Sequence, residues 1–183
     1  MNAILPPRRP RISLGEILLM AQGRRPGDRV CLVGIRGYYL DTMGEPGKND
    51  RGIYDDAIAI CAPDRLVTFN ANCDPALHMK GIANLKAGVY RYKLGIHGIT
   101  RPKHQQYRAL VQDDDVTIIR DGEGERKGFF GINIHRGGYQ SVSSLGCQTV
   151  FPTQWVEFFS AVEGLMRDYA QTTISYILVE NTG

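Results

Sequence analysis

Glycine and proline interrupt this chain so often, 21 and 9 times in 183 residues, that few stretches are long enough for an unbroken helix. Glycine reaches positive φ at little cost, and proline fixes φ and lacks an N–H, so both mark turns. Most of what lies between them is of β length. The runs "RVCLVGIRGYYL", "DAIAICAP", "RLVTFNAN", "AGVYRYKLGIHG" and the closing "TISYILVEN" are rich in Val, Ile, Tyr and Thr. Pro63-Asp64 marks a hairpin corner between the second and third runs. A further hairpin is predicted in "VTIIRDGEGERKGFFGINIHR", turning at Asp121-Gly122 and Gly124. Its second strand would carry His135. Period-two geometry places Phe130, Ile132 and Ile134 on one face of that strand and Gly131, Asn133 and His135 on the other.

One long stretch has a different period. Trp155, Phe158, Phe159, Val162, Leu165, Met166 and Tyr169 share one face of a helix. A shorter helix is predicted in "SLGEILLMAQG", with Ser13 as N-cap, Glu16 as its capping-box partner and Gly23 as the stop. The expected class is α+β, mainly β: a curved mixed sheet or β-sandwich with a C-terminal amphipathic helix and a short N-terminal helix.

With 43% hydrophobic residues, the chain can bury one core and is too short for two ordinary domains. The expected division is a basic arm with its short helix, residues 1–27, and a single globular domain, residues 28–183. "PPRRPR" is expected to be extended and mobile. The first thirty residues hold six arginines against Glu16 and Asp28, a balance suited to an anionic polymer or to simple solvation. The arm lacks the interleaved aromatics of a stacking surface, and no nucleic-acid module is present. "ILLM" is shorter than the ~7–15 residues of a signal-peptide apolar region, and no run approaches the ~20 residues of a membrane span. Synthesis in a cytoplasm, without stable membrane insertion, is the expectation. The polar loop "DTMGEPGKNDRG" is expected to rim a site, and Asp55 and Asp56 after it are left without a role.

Cys31, Cys61, Cys73 and Cys147 are scattered without the spacing of zinc knuckles or a disulfide framework, which predicts reduced thiols. Cys31 and Cys61 sit in apolar strand runs and read as core. Cys147 lies between Gly146 and the polar pair Gln148-Thr149, just before the helix. A catalytic thiol needs a base or positive field and some exposure, and Cys147 is the one placed to have them. A buried, inert cysteine is the competing reading.

Three segments tilt that balance. "LKAGVYRY", "FGINIHRGG" and "SSLGCQTVFPTQWVEFF" resemble the catalytic domain of the L,D-transpeptidases, cysteine enzymes that remodel bacterial peptidoglycan. The likeness spans roughly Asn70 to Val162. It implies an L,D-transpeptidase-like fold, Cys147 as nucleophile and His135 as base, with the imidazole oriented by the carbonyl of Arg136. It also implies an oxyanion hole from the N–H groups of Leu145, Gly146 and Cys147, and a loop held by Ser144. The sequence departs from the family pattern at Leu145, where a second histidine is usual, at Thr149, and in a shorter loop after His135. Arg136, Tyr139, Arg91 and His97 are candidate substrate contacts, the arginines as bidentate carboxylate donors.

The resemblance implies peptidoglycan as partner, no cofactor, no metal and a monomer. Its lack of a recognisable export signal suggests a phage-type lysin or an injected antibacterial effector, hydrolysing stem peptides at the wall as an endopeptidase or carboxypeptidase. Cross-link formation or exchange by the same acyl-enzyme is the alternative. Two further readings are a zinc peptidase using His97, His104, His135 and Cys147, although no metal-binding spacing appears, and a non-enzymatic virion or assembly protein.

Overall fold

The hairpin at Pro63-Asp64 forms as the sequence predicts: β2 (Asp56–Ala62) pairs antiparallel with β3 (Arg65–Asn72), Ala62 opposite Arg65. A computed structural model describes residues 4–20 and 27–181. Six further strands close the sheet around this hairpin: β1 (Cys31–Arg36), β5 (Gly88–His97), β6 (Tyr107–Gln112), β9 (Ile134–Arg136), β10 (Gln148–Val150) and β11 (Thr173–Glu180). The result is a closed barrel in the order β1-β11-β5-β6-β9-β10-β3-β2, the expected curved mixed sheet here closing on itself. Its pairs are antiparallel except β1 with β11 and β9 with β10. The barrel remains within the mainly β class. A small separate sheet joins β4 (Ala83–Leu85), β7 (Val116–Arg120) and β8 (Gly124–Gly128) in the order β4-β7-β8.

The continuous apolar runs of β1, β2 and β11 reflect burial on both faces. Leu32, Ile58, Ile60 and Leu178 pack in the main core, whereas Val33, Ile35, Ala59 and Ile177 pack on the other face against Ile17. Ile17 belongs to α1 (Leu14–Met20), whose capping box is formed: Glu16 accepts the Ser13 N–H at 2.7 Å and Ser13 Oγ accepts the Glu16 N–H at 3.2 Å. Gly23, the expected stop, lies outside the described residues. The preceding arm is extended, and it is docked where mobility was expected. The Ile4 carbonyl accepts Tyr54 N–H at 2.7 Å, the Pro10 carbonyl accepts Thr68 Oγ1 at 2.6 Å, and Arg9 pairs with Glu157. Two of these ties are made by backbone carbonyls, which composition does not register.

Helix α2 (Pro152–Asp168) buries the predicted stripe, with Trp155, Phe158, Phe159, Val162, Leu165 and Met166 all in the core. Proline at its first position suits a site that needs no N–H. Phe158 meets Phe69 of β3 edge-on at 5.2 Å, a contact of about 0.5–1.5 kcal/mol beyond area burial. The Gln154 amide grips both sides of Asn70, accepting its N–H at 2.9 Å and donating to its Oδ1 at 2.7 Å. This clamp ties the start of α2, and hence the end of β10, to β3.

Candidate active site

The 116–136 segment departs from its predicted path. β7 and β8 form the expected hairpin, Val116 opposite Gly128, but His135 is not on it. The chain leaves the small sheet after Gly128, turns through Gly131 at φ +71°, a conformation that glycine adopts without a Cβ clash, and enters the barrel as β9. One buried side chain directs the crossing. Gln112 Oε1 accepts the N–H groups of Phe130 and Ile132 at 3.2 and 3.0 Å, and its Nε2 donates to the Gly128 carbonyl at 3.1 Å. Asn133 Oδ1 completes the arrangement by accepting the Gln112 N–H at 3.1 Å. Side-chain amides thus satisfy backbone that has no strand partner.

β9 and β10 pair in parallel, Ile134 opposite Gln148 and His135 opposite Thr149. By the same register Cys147 lies opposite Asn133. Residues two apart on a strand share a face, so the Cys147 thiol and the His135 imidazole are diagonal neighbours on one face, about 7–8 Å apart at Cα. No hydrogen bond joins them among the described residues. The sulfur receives the Asn133 N–H at 3.4 Å and faces the Gly131 carbonyl at 3.6 Å.

His135 is held by the backbone of the residue that follows it. Its Nδ1 lies 2.7 Å from the Arg136 carbonyl. A carbonyl only accepts, so Nδ1 carries the proton and Nε2 is the basic nitrogen of the neutral ring. Tyr107 Oη braces the pair, 3.1 Å from Nδ1 and 3.3 Å from the Arg136 carbonyl. His97 stacks on the imidazole at 4.0 Å, and its own Nδ1 meets Asn133 Nδ2 at 3.2 Å. Only 4% of His135 is exposed, although the sequence places it off the apolar stripe. His97 and Tyr107 cover its face.

That burial sets the protonation. Desolvation, reinforced by the cationic tendency of His97 and the charges of Arg101 and Arg136, pushes His135 down to about 3. Desolvation pushes the Cys147 thiol up, partly offset by the Asn133 N–H. The site is therefore a neutral thiol beside a neutral imidazole, not the depressed thiol expected of a reactive cysteine. The base must take the proton during attack.

The 144–147 turn is tightly built. Ser144 Oγ donates to the Cys147 carbonyl at 2.6 Å and accepts the Gly146 N–H at 3.0 Å. The Gly146 N–H is thus engaged inside the turn and does not join an oxyanion hole, which corrects its expected role. Among the described residues the N–H groups of Leu145 and Cys147 make no hydrogen bond. Gly146 has φ +138°, and a Cβ there would lie 2.6 Å from the Ala83 carbonyl of β4. Only glycine lets β4 approach the cysteine turn this closely.

A cleft of about 390 Å³ opens beside the sulfur, with Leu145, 67% exposed, on its rim. Of the other candidates, the Arg136 guanidinium lies 5.2 Å over the Tyr107 ring, near the site. Tyr139 is exposed, packs edge-on against Phe151 at 6.0 Å, and does not line the cleft. Arg91 is not a site residue: its guanidinium binds Asp28 at 2.6 Å, Ser175 at 2.8 Å and Thr173 on the β5–β11 face. The 41–52 loop does not rim this cleft, and contributes Asn49 and Arg51 to a separate cavity of about 300 Å³. Asp55 and Asp56 are buried and accept backbone N–H groups, Asp55 from Asp50 and Asp56 from Gly37.

His104 lies in an exposed 3-10 turn, its Nε2 3.3 Å from Gln105 Nε2. Among the described residues no three His, Cys, Asp or Glu side chains gather as metal ligands. No helix among the described residues is long and apolar enough to cross a membrane. Gln112 and Tyr107 escaped the sequence reading because their roles arise from contacts between segments distant in sequence. Asn133 did leave a signal, a polar residue between Ile132 and Ile134. Comparison with models of protein families, with curated proteins and with solved structures gives no match.

Proposed function

We propose that the protein is a cysteine hydrolase that cleaves amide bonds in the stem peptides of peptidoglycan through an acyl-enzyme. The observation that carries this reading is the shared face of Cys147 and His135, with the basic Nε2 fixed by the Nδ1 contact to Arg136. The peptidoglycan assignment rests on the three segments that resemble the L,D-transpeptidases.

Attack requires the sulfur to swing from the Gly131 carbonyl toward Nε2. The Cys147 sulfur bonds to the amide carbon as Nε2 takes the thiol proton, and the carbonyl electron pair moves onto oxygen. The N–H groups of Leu145 and Cys147 are the available donors to that oxyanion. Collapse breaks the C–N bond, and the leaving amine takes the proton from Nε2. Water then attacks the thioester with Nε2 as base again, releasing acid and thiol. The cleft beside Cys147 is open to solvent, which favours water over an amine as the resolving nucleophile. Mass spectrometry of muropeptides after incubation with purified sacculi is the test. New carboxyl termini are expected with the wild type and none with Cys147→Ala or His135→Ala. Cleavage by a fully active Cys147→Ala protein would end the proposal.

A further inference from the structure

The cleft beside Cys147 carries a substrate preference that goes beyond the reaction type, and it rests on the thiol reading of that residue. Its walls include Ile82, Ala83, Phe130, Ile132 and Leu145, so it is mostly apolar, and among the described residues the one charged side chain lining it is Arg120, with no aspartate or glutamate beside it. Arg120 ends β7, opposite Ala83 of β4 and Gly124 of β8, in the middle strand of the small sheet. Its guanidinium is fixed from two sides. Nη1 donates to the Gly81 carbonyl at 2.6 Å, and the group lies over the Phe130 ring, 5.6 Å from its centroid. Neither neighbour is an anion. Arg51, Arg91 and Arg108 by contrast are matched with Asp121, Asp28 and Glu163, whereas Arg120 has no carboxylate in ion-pair range among the described residues.

A half-buried cation facing an apolar cleft is electrostatically incomplete. Its planar donors suit a carboxylate, and apolar walls weaken the competition from water. We propose that Arg120 determines the specificity of this cleft by binding a carboxylate of the acyl donor. Cys147 then acts on amides whose acyl part carries a free carboxylate on a short, largely apolar stem. A neutral stem leaves the guanidinium unmatched and binds less well.

The test compares alkylation of Cys147 by iodoacetylglycine and by iodoacetylglycinamide, which share size and electrophile and differ in the carboxylate. Peptide mass spectrometry reads the rate at Cys147, and a small free thiol supplies the intrinsic ratio. The carboxylate probe is expected to gain about tenfold over that ratio in the wild type, the scale of a charge-assisted pair. Arg120→Gln should abolish the gain, its amide retaining a donor for the Gly81 carbonyl, and Arg120→Lys should keep part of it. High salt should shrink the gain in the wild type, a measurement that needs no variant to fold. Absence of a wild-type gain, a gain insensitive to salt, or a gain that persists in Arg120→Gln overturns the proposal. Sacculus cleavage is scored separately. Cleavage without the preference removes Arg120 alone, and the preference without cleavage removes the peptidoglycan substrate and leaves the carboxylate site standing.

Discussion

The protonation of the free site is open to a decisive measurement, the pH dependence of Cys147 alkylation by iodoacetamide. An ordinary thiol has a pKa of about 8.5 and is about 3% thiolate at pH 7. Burial holds Cys147 above its ordinary value and His135 down at about 3, so the resting thiolate fraction at neutral pH lies below that figure. A preformed thiolate–imidazolium pair would be almost fully ionised. The two cases differ by at least about 30-fold in thiolate fraction at pH 7, or about 2 kcal/mol, so the shape of the pH profile rather than the absolute rate tells them apart. The expected profile climbs steadily from about pH 6 to beyond pH 8.5 without an acidic plateau, and His135→Gln leaves its midpoint above 8.5. Cys73 is fully buried and Cys61 nearly so, so peptide-resolved rates separate Cys147 from them. A plateau between about pH 5 and pH 7 that disappears in His135→Gln would show an ion pair and refute the argument from burial.

Two structural predictions accompany it. Gly146→Ala places a Cβ 2.6 Å from the Ala83 carbonyl at φ +138°, and strain of this kind costs about 1–3 kcal/mol; urea unfolding should register a loss of that size, and an unchanged midpoint would mean that β4 yields freely. Burial raises Asp55 to about 7, from about 3.9 in the unfolded chain. The native state therefore binds the extra proton between those values, and the Asp55 contribution to stability, full below about pH 4, is lost as pH rises to about 7. Because the depressed His135 works in the opposite direction between about pH 3 and 6.5, the informative quantity is a difference. Asp55→Asn should gain stability relative to wild type between about pH 4.5 and pH 7.5 in urea titrations, and a pH-independent difference would contradict the assignment.

Local pattern accounts for the features that the sequence revealed. The 155–169 stripe is a helix because its apolar residues recur at helical spacing, Ser13 and Glu16 cap α1 because they are three residues apart, and Pro63-Asp64 turns a hairpin because the flanking runs have strand period. The proposed pairing of Cys147 with His135 was legible only as residue type and family likeness. Tertiary structure decided where the two side chains lie. Gln112, far from both in sequence, directs residues 128–133 out of the small sheet so that β9 enters the barrel, and the parallel register of β9 with β10 then sets imidazole and thiol on one face. Burial under His97 and Tyr107, which no period encodes, keeps the imidazole neutral. Arg120 reaches the cleft from the small sheet, through strand pairings distant in sequence. Periodicity reports what a residue does for its own segment; register, burial and field depend on which segments meet, and closure of the barrel determines that.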